Sequence, residues 1–160
     1  MRQRPARGVT RFFRQCRRYR VPFLWENPLT SIQWWTPAAQ QVASWPHTQD
    51  VTVHYCAYGT RWRKPTKLRC HRLRSAHKLA ATCQGRRICQ YTGKPHIVLQ
   101  GRDENNTNWT LRAQPYPPQL ARRMADVFID AAWQNEFVKQ IATLAPRDKS
   151  NRLQAERAQA

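Results

Sequence analysis

Short apolar runs that end at turn-forming residues organise the first seventy residues of the chain. The run Val21-Pro22-Phe23-Leu24-Trp25 is too short for a helix of its own and predicts a buried strand. Glu26 and Asn27 follow it, and Pro28 stops regular structure and biases the residue before it toward an extended conformation. Open α/β sheets place their ligand sites at the ends of such strands. Glu26 is therefore the first candidate for chemistry.

A basic amphipathic helix is predicted immediately before this strand. Helical spacing is kept by Val9, Phe12, Phe13 and Cys16, and arginines fill the other faces. Thr10 is placed to cap a helix that continues to about Tyr19. A helix that leads directly into a strand is half of an α/β repeat, so the fold class predicted is α/β.

The segment after Pro28 predicts short helices and then two strands. Residues 29–35 and 37–45 are rich in aromatics, and Thr36 can cap the second of these helices with Pro37 in its first turn. Alternating apolar positions predict strands at 51–56 and 67–70. The loop between these strands carries Arg61, Trp62, Arg63, Lys64 and Pro65.

The second half of the chain predicts a helix, a strand, a hairpin arm and a long closing helix. The first three cover 73–83, 96–99 and 109–113, and the closing helix begins at Pro117-Pro118 and carries a long apolar stripe. We therefore expect one domain over 1–145 and a polar tail over 146–160. The parts of this domain are a helix and Glu-Asn-Pro strand (8–28), a basic strand-loop-strand (51–70), a region containing cysteine and histidine (70–113) and the closing helix (117–144).

The net charge of the chain indicates that its partner is a polyanion. Lys and Arg number 28 against 9 Asp and Glu, which gives a formal charge of +19. No acid falls between Asp50 and Asp103, whereas that window holds twelve Lys and Arg residues. A composition bias toward arginine is the alternative reading, but such a bias would not by itself remove acids from one window. The pattern favours a basic face for nucleic acid.

The five cysteines and the absence of an apolar run of membrane length favour a reducing interior, so we expect an intracellular protein, nuclear if eukaryotic, without membrane contact. Cys70, Cys83, Cys89 and His96 lie within 27 residues and form a candidate zinc site. No pair among them has the tight spacing of a zinc knuckle, and buried free thiols are the alternative.

In order along the chain, three motifs resemble the C-terminal half of cytosine-5 DNA methyltransferases, above all the divergent members found in phages and mobile elements. The motifs are Phe23-Leu24-Trp25-Glu26-Asn27-Pro28, Tyr55-Cys56-Ala57-Tyr58-Gly59 with Arg63-Lys64-Pro65-Thr66, and Tyr116-Pro117-Pro118. The resemblance spans about residues 8–135. It implies a partial Rossmann-like methyltransferase layer with a small, loop-rich basic insertion, S-adenosylmethionine as cofactor and DNA as substrate.

The resemblance also implies roles for particular residues. Glu26, with Asn27, would hold the Watson–Crick edge of a flipped cytosine, and Arg63 would reach its ring oxygen. The residues expected to contact nucleic acid are Arg61, Trp62, Arg63, Lys64, Lys67 and Arg69. A capping role for Glu26 and a solvated turn for the basic loop are the structural alternatives.

Two parts that such an enzyme needs are not found in this sequence. None of the five cysteines follows a proline, as the family's nucleophile does, and no Gly-rich cofactor turn precedes Glu26. We therefore expect a fragment that binds DNA and is inactive without an N-terminal methyltransferase subunit. The alternatives are a non-enzymatic nucleic-acid-binding protein that uses residues 61–94, or a truncated, decayed reading frame from a mobile element.

Overall fold

A three-stranded antiparallel sheet forms the centre of the fold in a computed structural model that describes residues 6–134. Its strands are β1 (Phe23–Pro28), β2 (Thr48–His54) and β3 (Pro65–His71), in the order β1-β3-β2. Both outer strands run antiparallel to β3, so β1 and β2 run parallel to each other with β3 between them. The helical connection from β1 to β2 therefore makes a split β-α-β unit.

Four α-helices and three 3₁₀ turns surround this sheet in the described part of the chain. The helices are α1 (Ala6–Arg18), α2 (Pro37–Ala43), α3 (Trp109–Arg112) and α4 (Pro118–Trp133), and the 3₁₀ turns are Ile32–Trp35, Tyr55–Tyr58 and Arg74–Leu79. The predicted start of α2 is confirmed, because the Thr36 hydroxyl accepts a hydrogen bond from the Ala39 amide and Pro37 occupies the first turn.

One face of the sheet packs against α1 and α2. Phe13 of α1 lies against Phe23 and Trp25 of β1, with ring centroids 4.5 and 4.8 Å apart. Val42 and Trp45 complete this cluster from the α2 side. The alternation of side chains along a strand places Phe23 and Trp25 on the same face, so an aromatic layer anchors the basic helix.

The opposite face packs against the Arg74–Leu79 turn and α4. Val53 of β2 and Leu68 of β3 are fully buried there, together with Leu120 and Val127 of α4. Glu26 alternates with Trp25 along β1 and pairs with Leu68, so it lies at the margin of this second face.

The structure confirms a mixture of helices with a small sheet, and it does not confirm a Rossmann-like layer. Such a layer is built mainly from neighbouring parallel strands, whereas both strand pairings here are antiparallel.

Several local predictions are wrong in the second half of the domain. The segment predicted to be helical at 73–83 contains only the 3₁₀ turn Arg74–Leu79, and 96–99 is not a strand. The predicted hairpin arm at 109–113 is instead the single-turn helix α3. The first segment packs Leu73, Ala76 and Leu79 into the main core through its 3₁₀ turn. The other two segments bury only Ala113, so their apolar pattern is weak.

The ends of two helices also differ from, or extend past, the predictions. Helix α1 begins at Ala6, so Thr10 lies inside the helix and does not cap it. The expected continuation of the closing helix to 144, and the polar tail over 146–160, lie outside the described residues.

Candidate metal centre

Four side chains suited to metal binding converge beside the end of β2. They are Cys56, Cys83, Cys89 and His96, and their ligand atoms all lie within 4.8 Å of one another. The Sγ atom of Cys83 is 4.0 Å from the Sγ of Cys89 and 3.7 Å from Nε2 of His96. This arrangement of three sulfurs and one imidazole nitrogen can hold a metal ion and is compatible with zinc.

Cys56 and Cys83 are brought together at one end of the sheet. Strand β2 ends at His54, and the Tyr55–Tyr58 turn then carries Cys56. This turn closes at Gly59 with φ +90°, in the left-handed region that favours glycine. Ala81 bridges Val53 in parallel and accepts a hydrogen bond from the His54 amide at 2.8 Å. Cys83 therefore emerges at the same end of β2 as Cys56.

His54 fixes the position of Cys83 through the backbone. Its Nδ1 atom accepts a hydrogen bond from the Cys83 amide at 2.8 Å and one from Nε of Arg63 at 3.2 Å. Burial lowers the pKa of His54, and the nearby Arg63 charge lowers it further. The imidazole therefore stays neutral and can accept these bonds at neutral pH.

The other two ligands lie on a short ribbon. Ile88 and Pro95 form an antiparallel bridge, and the His96 amide donates to the Arg87 carbonyl at 3.0 Å. The turn that joins the two arms is closed by the Cys89 amide, which donates to the Lys94 carbonyl at 2.8 Å. This ribbon holds Cys89 and His96 on adjacent arms.

Gly85 allows the loop between Cys83 and Cys89 to close tightly. A Cβ atom at this position would lie 1.9 Å from the carbonyl oxygen of Ile88. The loop is also held by the Tyr91 hydroxyl, which donates to the Thr82 carbonyl at 3.0 Å. Any side chain at residue 85 would force the backbone that carries the ligands to move.

The thiols of Cys56 and Cys89 have different electrostatic environments. Burial raises the pKa of Cys56 to about 12, and the neighbouring Cys83 and Cys89 add to the rise. Burial also raises the pKa of Cys89, but hydrogen bonds from the Thr92 side chain and the Tyr91 and Thr92 backbone outweigh it and bring the pKa to about 6. At neutral pH the Cys89 side chain is therefore mainly a thiolate. The Cys56 thiol stays protonated unless a bound cation lowers its pKa.

The sequence prediction is wrong for one ligand. Cys70 lies inside β3, where its side chain is fully buried in the main core with Leu68 and Val53. Cys56 takes the fourth position in its place. The sequence contains a signal for this difference, because Cys56 lies in a turn that ends in glycine, whereas Cys70 falls on the apolar side of an alternating strand.

Glu26 lies in a separate, half-buried polar group. One of its carboxylate oxygens is buried and has no hydrogen-bond partner among the described residues. Burial raises the pKa of Glu26, and the charge of Lys64 opposes that rise. Tyr55 and Tyr116 are close enough for Glu26 to raise their pKa values further, beyond the effect of burial. Lys64 donates to the carbonyl of Ala113 at 2.8 Å.

The other two residues predicted to be catalytic have partners within the fold. The side-chain amide of Asn27 donates to Gln33 at 3.2 Å and ties β1 to the following 3₁₀ turn. Arg63 is half-buried and donates to His54. Lys64 is therefore the predicted contact residue whose charge acts on Glu26, whereas the Asn27 and Arg63 side chains hydrogen-bond to Gln33 and His54.

Two residues of the set predicted to contact nucleic acid, Arg69 and Lys67, instead lie against Asp50 inside the fold. The Arg69 side chain is 3% exposed and binds both carboxylate oxygens of Asp50, at 2.7 and 2.8 Å. Lys67 lies 3.5 Å from the same carboxylate and over the ring of Trp34. The prediction for Arg69 is wrong because its guanidinium is buried and bound to Asp50 inside the fold, and Lys67 shares the same single carboxylate.

The remaining members of that set differ in exposure. Arg61 is exposed, and Lys64 is half-buried. Trp62 is half-buried, packs on the main core and lies 6.4 Å from Trp109 between ring centroids. Arg61 is thus the member of the predicted loop that is best placed to meet a partner.

Neither a search for membrane-spanning helices nor comparison with known proteins assigns a function to the chain. Within residues 6–134, no helix has both the length and the apolar character needed to cross a bilayer. Protein-family models, curated proteins and solved structures were compared with this chain, and none of them matches it.

Proposed function

We propose that this chain is a nucleic-acid-binding domain whose contacts come from the basic segment 61–94. One observation carries the proposal: Arg61, Arg86, Arg87 and Lys94 are exposed around the cysteine–histidine cluster and form no ion pair within the described residues. Other basic side chains, such as Arg69 and Lys78, are paired with Asp50 and Asp130. These four cations therefore lie on one stretch of chain. Other exposed arginines without an ion pair among the described residues, such as Arg11 and Arg18, lie on α1.

A polyanion is the partner that fits these cations. Lys and Arg side chains that neutralise phosphates release condensed counterions, and this release drives binding. The stretch between Asp50 and Asp103 contains no acid that would repel a phosphate backbone. The location that belongs to this proposal is intracellular, or nuclear in a eukaryote, where nucleic acid and reduced thiols occur together.

The salt dependence of DNA affinity tests this proposal. We expect the logarithm of the affinity for a labelled duplex to fall linearly with the logarithm of salt concentration, and Lys94→Ala to reduce the slope by about 0.9 for each lost phosphate contact. Lys78→Ala is the matched control, because Lys78 is already paired with Asp130 at 3.2 Å. A flat plot, or equal effects of the two substitutions, would contradict the proposal.

A second function, that of a cytosine-5 DNA methyltransferase-like fragment, is favoured by the free oxygen of Glu26. A carboxyl group whose pKa is raised by burial is suited to hold the Watson–Crick edge of a flipped base, because the protonated form can donate a hydrogen bond. In this proposal the sheet is part of a Rossmann-like layer that an N-terminal partner subunit completes. That subunit would supply the nucleophile and the pocket for S-adenosylmethionine.

Methyl transfer to cytosine-containing DNA tests the second function. We expect no transfer by the chain alone and transfer when a partner with a Pro-Cys loop and a Gly-rich turn is added. Glu26→Gln should then abolish transfer, whereas Glu104→Gln, at an exposed position, should leave it unchanged. Transfer that survives Glu26→Gln would remove the proposed role of this carboxylate.

A further inference from the structure

We propose that Cys56, Cys83, Cys89 and His96 bind one zinc ion, and that this ion has a structural role. Thiolate and imidazole ligands select zinc over the hard cations, which prefer oxygen. Four protein ligands close a tetrahedral site and leave no open position for a substrate or a reactive water, which is the pattern of structural rather than catalytic zinc.

The distances fit tetrahedral coordination. With Zn–S bonds of about 2.3 Å and Zn–N bonds of about 2.0 Å, neighbouring ligand atoms of a tetrahedron lie about 3.5–3.8 Å apart. The separation is 4.0 Å between the sulfurs of Cys83 and Cys89 and 3.7 Å between Cys83 and His96, and all ligand atoms lie within 4.8 Å of one another, so small shifts would close the tetrahedron. A disulfide needs sulfurs about 2.05 Å apart, and all five cysteines are free. The cluster therefore has the dimensions of a metal site and not of a disulfide.

The burial pattern gives an independent reason for a metal. Across residues 80–112, only Cys83 and Cys89 are buried. The three buried cysteines form a cluster of their own, separate from the main core around Leu68 and Leu120. A stretch of more than thirty residues with no buried hydrocarbon anchor lacks the apolar burial that normally offsets the entropy of ordering a chain. Metal coordination supplies the missing free energy.

The proposed ion also organises the basic segment. The ribbon that carries Cys89 and His96 presents Arg86, Arg87 and Lys94, and the amide of Ile97 donates to the Arg61 carbonyl at 2.9 Å. The metal therefore fixes the loop and, through Ile97, the backbone of the strand-connecting loop at Arg61. This consequence for binding rests on the proposed nucleic-acid function, whereas metal binding itself does not.

Metal analysis of the purified full-length chain tests the inference. We expect one zinc per chain, and cobalt in its place should give the visible bands of a tetrahedral site with thiolate-to-metal charge transfer. Cys56→Ser should weaken metal affinity at least about 100-fold, beyond the 10–100-fold typical of losing an outer-shell group. Cys70→Ser and Cys16→Ser should each retain one zinc, because neither cysteine belongs to the cluster.

A conservative variant guards against a loss of folding in Cys56→Ser. His96→Cys keeps four ligands, so it should retain one metal ion and increase the thiolate-to-cobalt absorption by about one third. Absence of stoichiometric zinc from the wild-type chain, or an unchanged metal affinity in Cys56→Ser, would overturn the inference. Zinc binding without DNA binding would leave this inference intact and reject the proposed function, and DNA binding by a chain that holds no zinc would do the reverse.

Discussion

Arg69 and Cys70 are neighbours in β3, and both side chains are buried inside the fold. Arg69 was predicted to contact nucleic acid and Cys70 to bind zinc, and the sequence-based prediction is wrong for both. Side chains alternate along a strand, so Arg69 faces the α2 side and pairs with Asp50, while Cys70 faces the main core. Sequence alone shows that both residue types are chemically suitable. It does not show which long-range partner will consume them, and this is why the site was predicted only in part.

His71, the last residue of β3, is a buried titratable group with a consequence for stability. Its ring stacks on Phe23 with centroids 5.0 Å apart, and Nδ1 lies 2.8 Å from the hydroxyl of Thr48. Burial lowers the pKa of His71 from 6.5 to about 4, and the charges of Arg72, His47 and Arg17 contribute to the shift. The folded protein therefore keeps this imidazole neutral at a pH where the unfolded chain binds a proton.

This difference predicts a loss of stability in acid. The folded-state pKa lies below the unfolded one, so the contribution of His71 to the free energy of unfolding should be constant above about pH 6.5 and fall between about pH 6.5 and 4, by roughly 2–3 kcal/mol in total. Urea unfolding of the wild type and His71→Phe at several pH values checks it. Acid also protonates the cysteine ligands, but that effect is common to both proteins and cancels in the difference. Parallel stability curves would contradict the assignment to His71.

At the scale of elements, the sequence predicted best where hydrophobic patterning is strong. The strand at the Glu-Asn-Pro motif, the capped helix α2 and the strand around Lys67 were all found close to their observed bounds. Predictions failed over 73–113, where the described backbone forms one 3₁₀ turn, isolated bridges and a single helical turn. Apolar periodicity cannot report on residues 80–112, because the only buried side chains there are cysteines.

Gly85 provides a test at this scale. Gly85→Ala places a Cβ atom against the backbone oxygen of Ile88, so the loop from Cys83 to Cys89 must rearrange. We expect a loss of metal affinity of at least about 10-fold and a cost of roughly 1–3 kcal/mol in stability, the range found for overpacked sites. Competitive metal titration and thermal unfolding measure the two effects.

Gly101→Ala is the matched control for this substitution. Gly101 has φ +71° and open space around its Cβ position, so alanine there should cost about 1 kcal/mol of backbone strain and leave metal affinity unchanged. Equal metal affinities for the Gly85→Ala and wild-type chains would show that the loop does not need the close approach at residue 85.

At the scale of the whole molecule, hydrophobic packing and the cysteine–histidine cluster stabilise different parts of the chain in our account. The sheet is covered on one face by α1 and α2 and on the other by α4, and these contacts bury the aromatic and aliphatic residues. The basic segment beyond residue 80 has little share in either cluster, and its buried side chains up to residue 112 are the cysteines of the cysteine–histidine centre. The hydrophobic core thus fixes the sheet, and in our proposal the metal fixes the basic surface that would meet nucleic acid.

The affinity of the full chain for duplex DNA, measured before and after removal of metal at one fixed salt concentration, tests this account most directly. We predict that stripping the metal weakens binding at least about 10-fold, because the cations on the ribbon lose their fixed arrangement, and that stoichiometric zinc restores it. The circular dichroism signal of the sheet and helices should change little in the same samples. Equal affinities for the metal-loaded and metal-free chains would contradict the account.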